Sequence, residues 1–147
     1  MSFLDSMQIS ASGLTAQRLR LDIIASNLAN INTTRTAEGG PYRREQAVFS
    51  PIGNEYSFHD VVLGLVAQPS PTLGVRVSEI QQDNSEGRLV FDPEHPDADA
   101  NGYVHYPNVN PVTEMTDMIA ATHGYEANIT AMNATKSMAL KAIDLAR

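Results

Sequence analysis

Residues 5–31 read DSMQISASGLTAQRLRLDIIASNLANI and have the pattern of one long helix. Apolar side chains recur every seven residues, and a neighbouring apolar row is interrupted by Ser10 and Gln17. This spacing predicts an amphipathic helix over the whole stretch. Because its apolar stripe is narrow and lies among Ser, Asn and Gln, the helix is not expected to be stable alone. The first row comprises Met7, Leu14, Leu21 and Leu28, and the second comprises Phe3, Ile24 and Ile31.

A second helical pattern starts at Asn110 and Pro111. Asn suits the N-cap and Pro the first helical position, and the acidic Glu114 and Asp117 favour the positive end of the helix dipole. A helix from there to residue 147 would be about 54 Å long, whereas a compact protein of this size has a radius of gyration of about 15 Å. The sequence therefore predicts an elongated molecule with two terminal helices that need partners. The apolar positions are Met115, Met118, Ile119, Tyr125, Ile129, Met132, Leu140 and Ile143.

The middle of the chain has a different composition. All eight prolines lie between residues 41 and 111, and residues 45–106 hold ten acidic and two basic side chains. Runs rich in Val, Ile and Phe predict short antiparallel strands, followed by a long acidic loop over residues 83–107. The predicted strands are Tyr42–Ile52, Asp60–Ala67 and Leu73–Ile80, with a brief strand at Leu89–Phe91 inside the loop.

These patterns predict an α+β fold in three parts. Residues 1–40 form an N-terminal helix and linker, residues 41–107 a small antiparallel β-rich domain, and residues 108–147 a C-terminal helix.

Composition excludes several classes of function. The chain has 147 residues, a net charge of -7 and no cysteine. Binding to nucleic acid depends on Lys and Arg, so an acidic chain is not expected to have it as a partner. No apolar run is long enough to span a membrane, and the first ten residues lack the basic and apolar regions of a secretory signal. Disulfides and thiolate chemistry are also excluded.

One acidic stretch has half of a calcium-binding pattern. Residues 97–102, DADANG, match the opening of a calcium loop, but the twelfth position is Asn108 where a bidentate Glu is needed. An acidic turn is therefore the better interpretation. The histidines have no local zinc-binding spacing. A small hydrolase or metalloprotein using His95, Asp97, Asp99 and His105 is the enzyme alternative, but no recognisable catalytic arrangement supports it. We predict no catalytic, cofactor-binding or metal-binding residue.

Two polar clusters allow more than one interpretation. Arg43 and Arg44 could contact an anion, but a salt bridge within the chain or between copies is favoured beside so acidic a segment. Asn27, Asn30 and Asn32 could form a buried polar seam between helices, which would specify register. Alternatively, they could mark the point where the first helix ends in a loop.

Both ends of the chain resemble the axial proteins of the bacterial flagellum, the rod and hook family. The similarity lies in Ser12–Arg18 and Ile24–Thr33 at one end, and in Asn108–Met115 and Tyr125–Ile129 at the other. The middle segments Arg35–Arg44 and Phe91–Val104 resemble the proximal rod proteins of that family. One departure is His123-Gly124, where relatives place Arg and a small residue. Gly124 should also weaken the helix locally, by about 1 kcal/mol relative to Ala.

The resemblance implies a structural subunit of the flagellar basal-body rod and not an enzyme. Its terminal helices would pair as a coiled-coil-like layer and polymerise into the periplasmic drive shaft, with the β-rich part outside. Its partners would be copies of itself, other rod proteins and the flagellar export apparatus, through which it would pass without a cleaved signal peptide. No cofactor, nucleic acid or small-molecule substrate is implied.

The alternative is a coiled-coil adaptor or export-associated binding protein that does not polymerise. For the rod subunit, we predict an assembly interface on the apolar and amide positions of both helices. These positions are Leu14, Leu21, Ile24, Asn27, Leu28, Asn30, Ile31, Asn32, Met115, Met118, Tyr125, Ile129, Met132, Leu140 and Ile143.

Overall fold

The computed structural model describes residues 3–37, 39–53 and 74–145. Within these residues, two long helices flank four short strands along the sequence, which confirms the predicted α+β class. The elements are α1 (Phe3–Ala29), β1 (Glu45–Pro51), β2 (Val75–Gln82), β3 (Leu89–Phe91), β4 (Tyr103–His105) and α2 (Pro111–Leu145).

Both helix boundaries that face the middle of the chain follow from local hydrogen bonds. Asn110 caps α2, because its Oδ1 accepts a hydrogen bond from the backbone N–H of Val112 at 3.0 Å. At the end of α1, Asn30 Nδ2 donates to the carbonyl of Ser26 at 3.0 Å, and Thr33 Oγ1 donates to Asn30 Oδ1 at 3.1 Å. The helix therefore ends at Ala29, two residues before the predicted end.

The four strands of the described ranges form two separate antiparallel ribbons. β1 pairs with β2, and the register shifts between Val48 and Phe49, whose partners are Glu79 and Val77. β3 pairs with β4, which sequence analysis assigned to the loop. β1 lies within the predicted strand Tyr42–Ile52, and β2 begins and ends two residues later than the predicted Leu73–Ile80. The predicted strand Leu89–Phe91 is confirmed. The predicted strand Asp60–Ala67 lies outside the described residues.

Helix α1 is the middle layer, since it packs against α2 and also contacts both β1 and β2. Val75 at the start of β2 donates its N–H to Ser12 Oγ at 3.1 Å, and Glu45 at the start of β1 is bonded to Asn27. The β1–β2 ribbon thus runs beside α1 from Asn27 to Ser12. Each terminal helix therefore finds a partner within the chain.

The buried face of α1 differs from the predicted stripe. It consists mainly of small or polar residues, while Met7, Leu14, Leu21 and Leu28 are half-buried beside it. The physical reason is the close approach of α2, which a row of leucines facing it would prevent. The buried positions of α1 are Ser10, Gly13, Ala16, Ile23, Ile24 and Asn27.

Candidate functional site: the paired helices and their buried polar cluster

Four contacts fix the antiparallel pairing of α1 and α2. Moving along α1, Gly13 meets Asn128, Gln17 meets Gly124, Arg20 meets Asp117 and Asn27 meets Glu114. Partner numbers fall as α1 numbers rise, so the helices run in opposite directions. Arg20 Nη2 lies 3.2 Å from Asp117 Oδ1 in this series.

Two glycines allow the helices to approach closely, and each faces an amide side chain of the other helix. A β-carbon at Gly13 would lie 2.9 Å from Asn128 Oδ1, and one at Gly124 would lie 3.1 Å from Gln17 Nε2. Asn128 in turn donates to the carbonyl of Gly124 at 2.8 Å. The structure thus gives Gly124 a packing role, while the predicted weakening of the helix there stays a prediction.

A cluster of polar side chains is buried where α1, the segment before β1 and the start of α2 meet. Glu114 is 0% exposed and Asn27 is 1% exposed. Glu114 Oε1 lies 2.5 Å from Arg44 Nε, and Glu114 Oε2 accepts a hydrogen bond from Asn27 Nδ2 at 3.0 Å. Arg44 Nη2 also lies 3.4 Å from Asp117 Oδ2. These contacts confirm the salt-bridge interpretation of Arg44 as one within the chain.

Tyr42 completes this cluster. Its hydroxyl donates to Asn27 Oδ1 at 2.9 Å. Burial raises the pKa of the Tyr42 phenol above its ordinary value of 10.0 and outweighs the lowering by its hydrogen bond with Ser26. The nearby carboxylates of Glu45 and Glu114 also raise the pKa. The hydroxyl therefore keeps its proton at neutral pH and can serve as a donor.

The three asparagines have different roles. Asn27 is the buried polar residue that the seam interpretation predicts, whereas Asn30 closes the end of α1 and Asn32 is exposed in the turn that follows. Both interpretations of this cluster therefore apply, each to different residues.

The residues of the predicted assembly interface fall into three groups. Ile24 and Asn27 are buried within the single chain, so they hold its own layers together. Half-buried positions are Leu14, Leu21, Leu28, Asn30, Ile31, Met118, Tyr125 and Met132. Exposed positions are Asn32, Met115, Ile129, Leu140 and Ile143.

Sequence analysis missed Gly13, Arg44 and Glu114 as determinants of the pairing. The signal for Gly13 was a small residue inside a helical pattern, which can mark close packing. Glu114 was assigned only a favourable position at the helix start, because its partner Arg44 lies 70 residues away.

The acidic loop forms a turn stabilised by its own side chains. Asp99 Oδ1 accepts hydrogen bonds from the backbone N–H groups of Asn101 at 2.8 Å and Tyr103 at 2.9 Å. Asp97 Oδ2 accepts one from Thr34 Oγ1 at 2.8 Å. The two Asp99 bonds are those of the predicted turn, whereas the Asp97 bond joins the turn to the segment that follows α1. In the described ranges, no group of three or more His, Asp or Glu side chains is arranged to hold a metal ion.

A cavity of about 250 Å³ lies beside the buried cluster, between α1, β1 and the start of α2. Its charged walls include Arg20, Arg44, Glu114 and Asp117, which are joined by the ion pairs described above.

Among the described residues, no helix contains an apolar stretch of the length that a membrane span needs.

Comparison with known proteins identifies the family. A protein-family model described as "Flagella basal body rod protein" matches residues 7–35. A second family model, described as "Flagellar basal body rod FlgEFG protein C-terminal", matches residues 100–145. The flagellar basal-body rod protein FlgC of Bacillus subtilis is 45% identical over 100% of both chains. The chain belongs to the FlgC family of flagellar basal-body rod proteins. The FlgC proteins of Borreliella burgdorferi and Escherichia coli O6:H1 are 45% and 38% identical, covering 94% and 99% of this chain and 93% and 98% of their own.

Family membership confirms the resemblance and the predicted function. This FlgC-family chain is a structural subunit of the flagellar basal-body rod, and the adaptor alternative is not favoured. The matched segments contain nearly all of α1 and the whole of α2, the two elements whose pairing the buried cluster fixes.

Proposed function

We propose that this rod subunit polymerises through the outward side of its helix pair and has no catalytic activity. The observation that carries the proposal is an apolar stripe on α2. Met115 and Ile119 are each 58% exposed, and Leu140 is 54% exposed. Together with Val112 and Ile129, they fall within about 100° of the helix circumference, on a different side from Glu114, Ala121 and Thr135, which are buried.

Such a stripe suits a subunit whose neighbours complete its core. A large exposed apolar surface on a soluble chain marks a site of interaction. When identical subunits repeat one contact that does not close on itself, they form a filament. The partners we propose are further copies of this chain and other rod proteins.

The remaining details follow from the family resemblance. We propose that the protein lies in the proximal, periplasmic part of the rod, and that the flagellar export apparatus delivers it without a cleaved signal peptide. The three-part domain division and the assembly roles of the exposed and half-buried interface residues belong to the same proposal.

Complementation of a strain lacking this protein tests the surface. Ile119→Asp places a charge in the stripe, while Ala120→Asp places the same charge on the next, also exposed, position of α2. We expect the Ile119 variant to be exported and to be stable as a monomer but to form no rod. The Ala120 variant should support motility. Electron microscopy of basal bodies would show which rods form. Normal rods with Ile119→Asp would contradict the proposal.

A further inference from the structure

Glu114 is a buried charge held by two segments that are distant in sequence. Its carboxylate is 0% exposed, with one oxygen bonded to Arg44 of the segment before β1 and the other to Asn27 of α1. A buried carboxylate is strongly unfavourable unless it is paired and hydrogen-bonded. The first turn of α2 can therefore dock stably only when partners for Glu114 are in place.

The side chain of Asn27 has no hydrogen-bonding capacity left for Glu114 beyond the bond it already makes. Its amide donates to Glu114 and to the carbonyl of Glu45, and its oxygen accepts from Tyr42 and from the N–H of Glu45. These four bonds use both donors and both acceptor positions of the side chain. The compensating positive charge for Glu114 comes from Arg44.

The position of Arg44 depends in turn on the folded middle of the chain. Its backbone carbonyl accepts a hydrogen bond from the N–H of Asp83, just after β2, at 2.8 Å. Its backbone N–H donates to Asn108 Oδ1 at 2.9 Å. The guanidinium is therefore held toward Glu114 by the open end of the β1–β2 ribbon and by the segment that leads into α2.

We propose that Asn27, Arg44 and Glu114 form a latch that makes docking of the first turns of α2 against α1 conditional on folding of the β1–β2 ribbon. We call these three residues the Glu114 latch. With the ribbon unfolded, Arg44 is withdrawn and Glu114 would be buried without its counter-charge, so the start of α2 separates from α1. Ordering of residues 42–45 and docking of the first turns of α2 then occur as one cooperative event.

The latch has a consequence for assembly that rests on the proposed function. In a subunit that arrives unfolded, the first turns of α2 would pack against α1 only after the β1–β2 ribbon has folded. Incompletely folded chains would thus be unable to offer the stripe on α2 in its assembled position.

Hydrogen exchange on the purified full chain tests the latch. In the unmodified protein, amides of residues 45–48 and 114–118 should show equal opening constants and the same denaturant dependence. Arg44→Met leaves Glu114 buried without its counter-charge, so opening of both segments should increase on the order of 100-fold or more. Arg43→Met is the matched control, because Arg43 is exposed and bonded to Asn84, and its effect should stay within about 3-fold.

A double variant separates coupling from simple stability. Arg44→Met with Glu114→Leu replaces the ion pair by apolar groups and should recover part of the protection lost in Arg44→Met, although the Asn27 amide loses its bond to Glu114. The two segments should then open independently, because no charge links them. The latch is overturned if Arg44→Met behaves like Arg43→Met, if the double variant still opens both segments together, or if residues 114–118 are unprotected in the unmodified protein. None of these outcomes depends on rod assembly, which the Ile119→Asp experiment tests separately.

Discussion

Gly13 of α1 lies directly against Asn128 of α2, and a β-carbon added there would be 2.9 Å from Asn128 Oδ1. The missing side chain at Gly13 thus allows the two helices to lie close together. About one helical turn away, the same kind of contact occurs with the helices exchanged: Gly124 of α2 lies against Gln17 of α1.

Gly13→Ala should therefore destabilise the chain although Ala is the better helix former. The new methyl group forces the Asn128 amide or the helix backbone to move, which typically costs about 1–3 kcal/mol. The higher helix propensity of Ala offsets about 1 kcal/mol of that cost, so a net loss of up to about 2 kcal/mol is expected. Urea unfolding followed by circular dichroism would measure the loss. Thr15→Ala, on the exposed side of α1, is the control and should be neutral or slightly stabilising.

The double variant Gly13→Ala with Asn128→Ala tests the stated cause. If steric contact with the amide is the problem, removing the amide should recover part of the loss, and the two effects should be non-additive. Additive losses would mean that Gly13 acts in another way.

Asn27→Ala should be among the most damaging polar substitutions in α1. It removes four hydrogen bonds and leaves the buried Glu114 with one partner fewer. Each buried polar group left unpaired costs about 1–3 kcal/mol, so a loss above about 3 kcal/mol is expected in thermal or chemical unfolding. Asn32→Ala provides the comparison, because Asn32 is exposed and should change stability by less than about 0.5 kcal/mol. Similar losses for the two variants would show that the buried cluster contributes little.

Acid should loosen the acidic turn at Asp99. The backbone N–H of Tyr103 bonds the Asp99 carboxylate and holds its pKa below the ordinary value of 3.8, with the N–H of Asn101 contributing in the same direction. A lowered folded-state pKa means that the stabilisation is present above pH 3.8 and is lost as pH falls through the folded-state value. NMR of the Tyr103 amide should show a reversible shift below about pH 4.

Asp99→Asn removes the titrating group, so the shift of the Tyr103 amide should vanish in that variant. A shift that persisted in Asp99→Asn would assign the acid transition to another group.

The sequence predicted those parts of the fold that depend on local pattern. The spacing of apolar residues and the absence of interior proline were sufficient for α1 and α2, and runs rich in Val, Ile and Phe predicted β1, β2 and β3. β4 was missed because its three residues become a strand only by pairing with β3, across a loop that the acidic turn shapes.

The buried cluster could not be predicted for a similar reason. Glu114 looked like an ordinary acidic residue of a first helical turn, and its burial depends on Arg44 and Asn27, which are 70 and 87 residues away in sequence. The buried face of α1 was also misplaced, because large apolar side chains dominate a periodicity analysis while small residues determine how closely two helices pack.

Leu28 and Leu140 should respond differently to the same substitution, because the single chain covers them differently. Leu140 is 54% exposed, whereas Leu28 is half-buried beside the helix contact. Leu140→Asp should leave thermal unfolding of the purified monomer unchanged within about 0.5 kcal/mol. If the stripe on α2 is an assembly surface, that variant should still build no rod, since burying an unpaired charge at every repeated contact is strongly unfavourable.

Leu28→Asp should lower monomer stability as well, by about 1–3 kcal/mol, through lost apolar burial. Swimming-plate assays of both variants, with melting curves of the purified chains, would separate an assembly defect from a folding defect. Motile cells carrying Leu140→Asp would remove this end of α2 from the proposed surface.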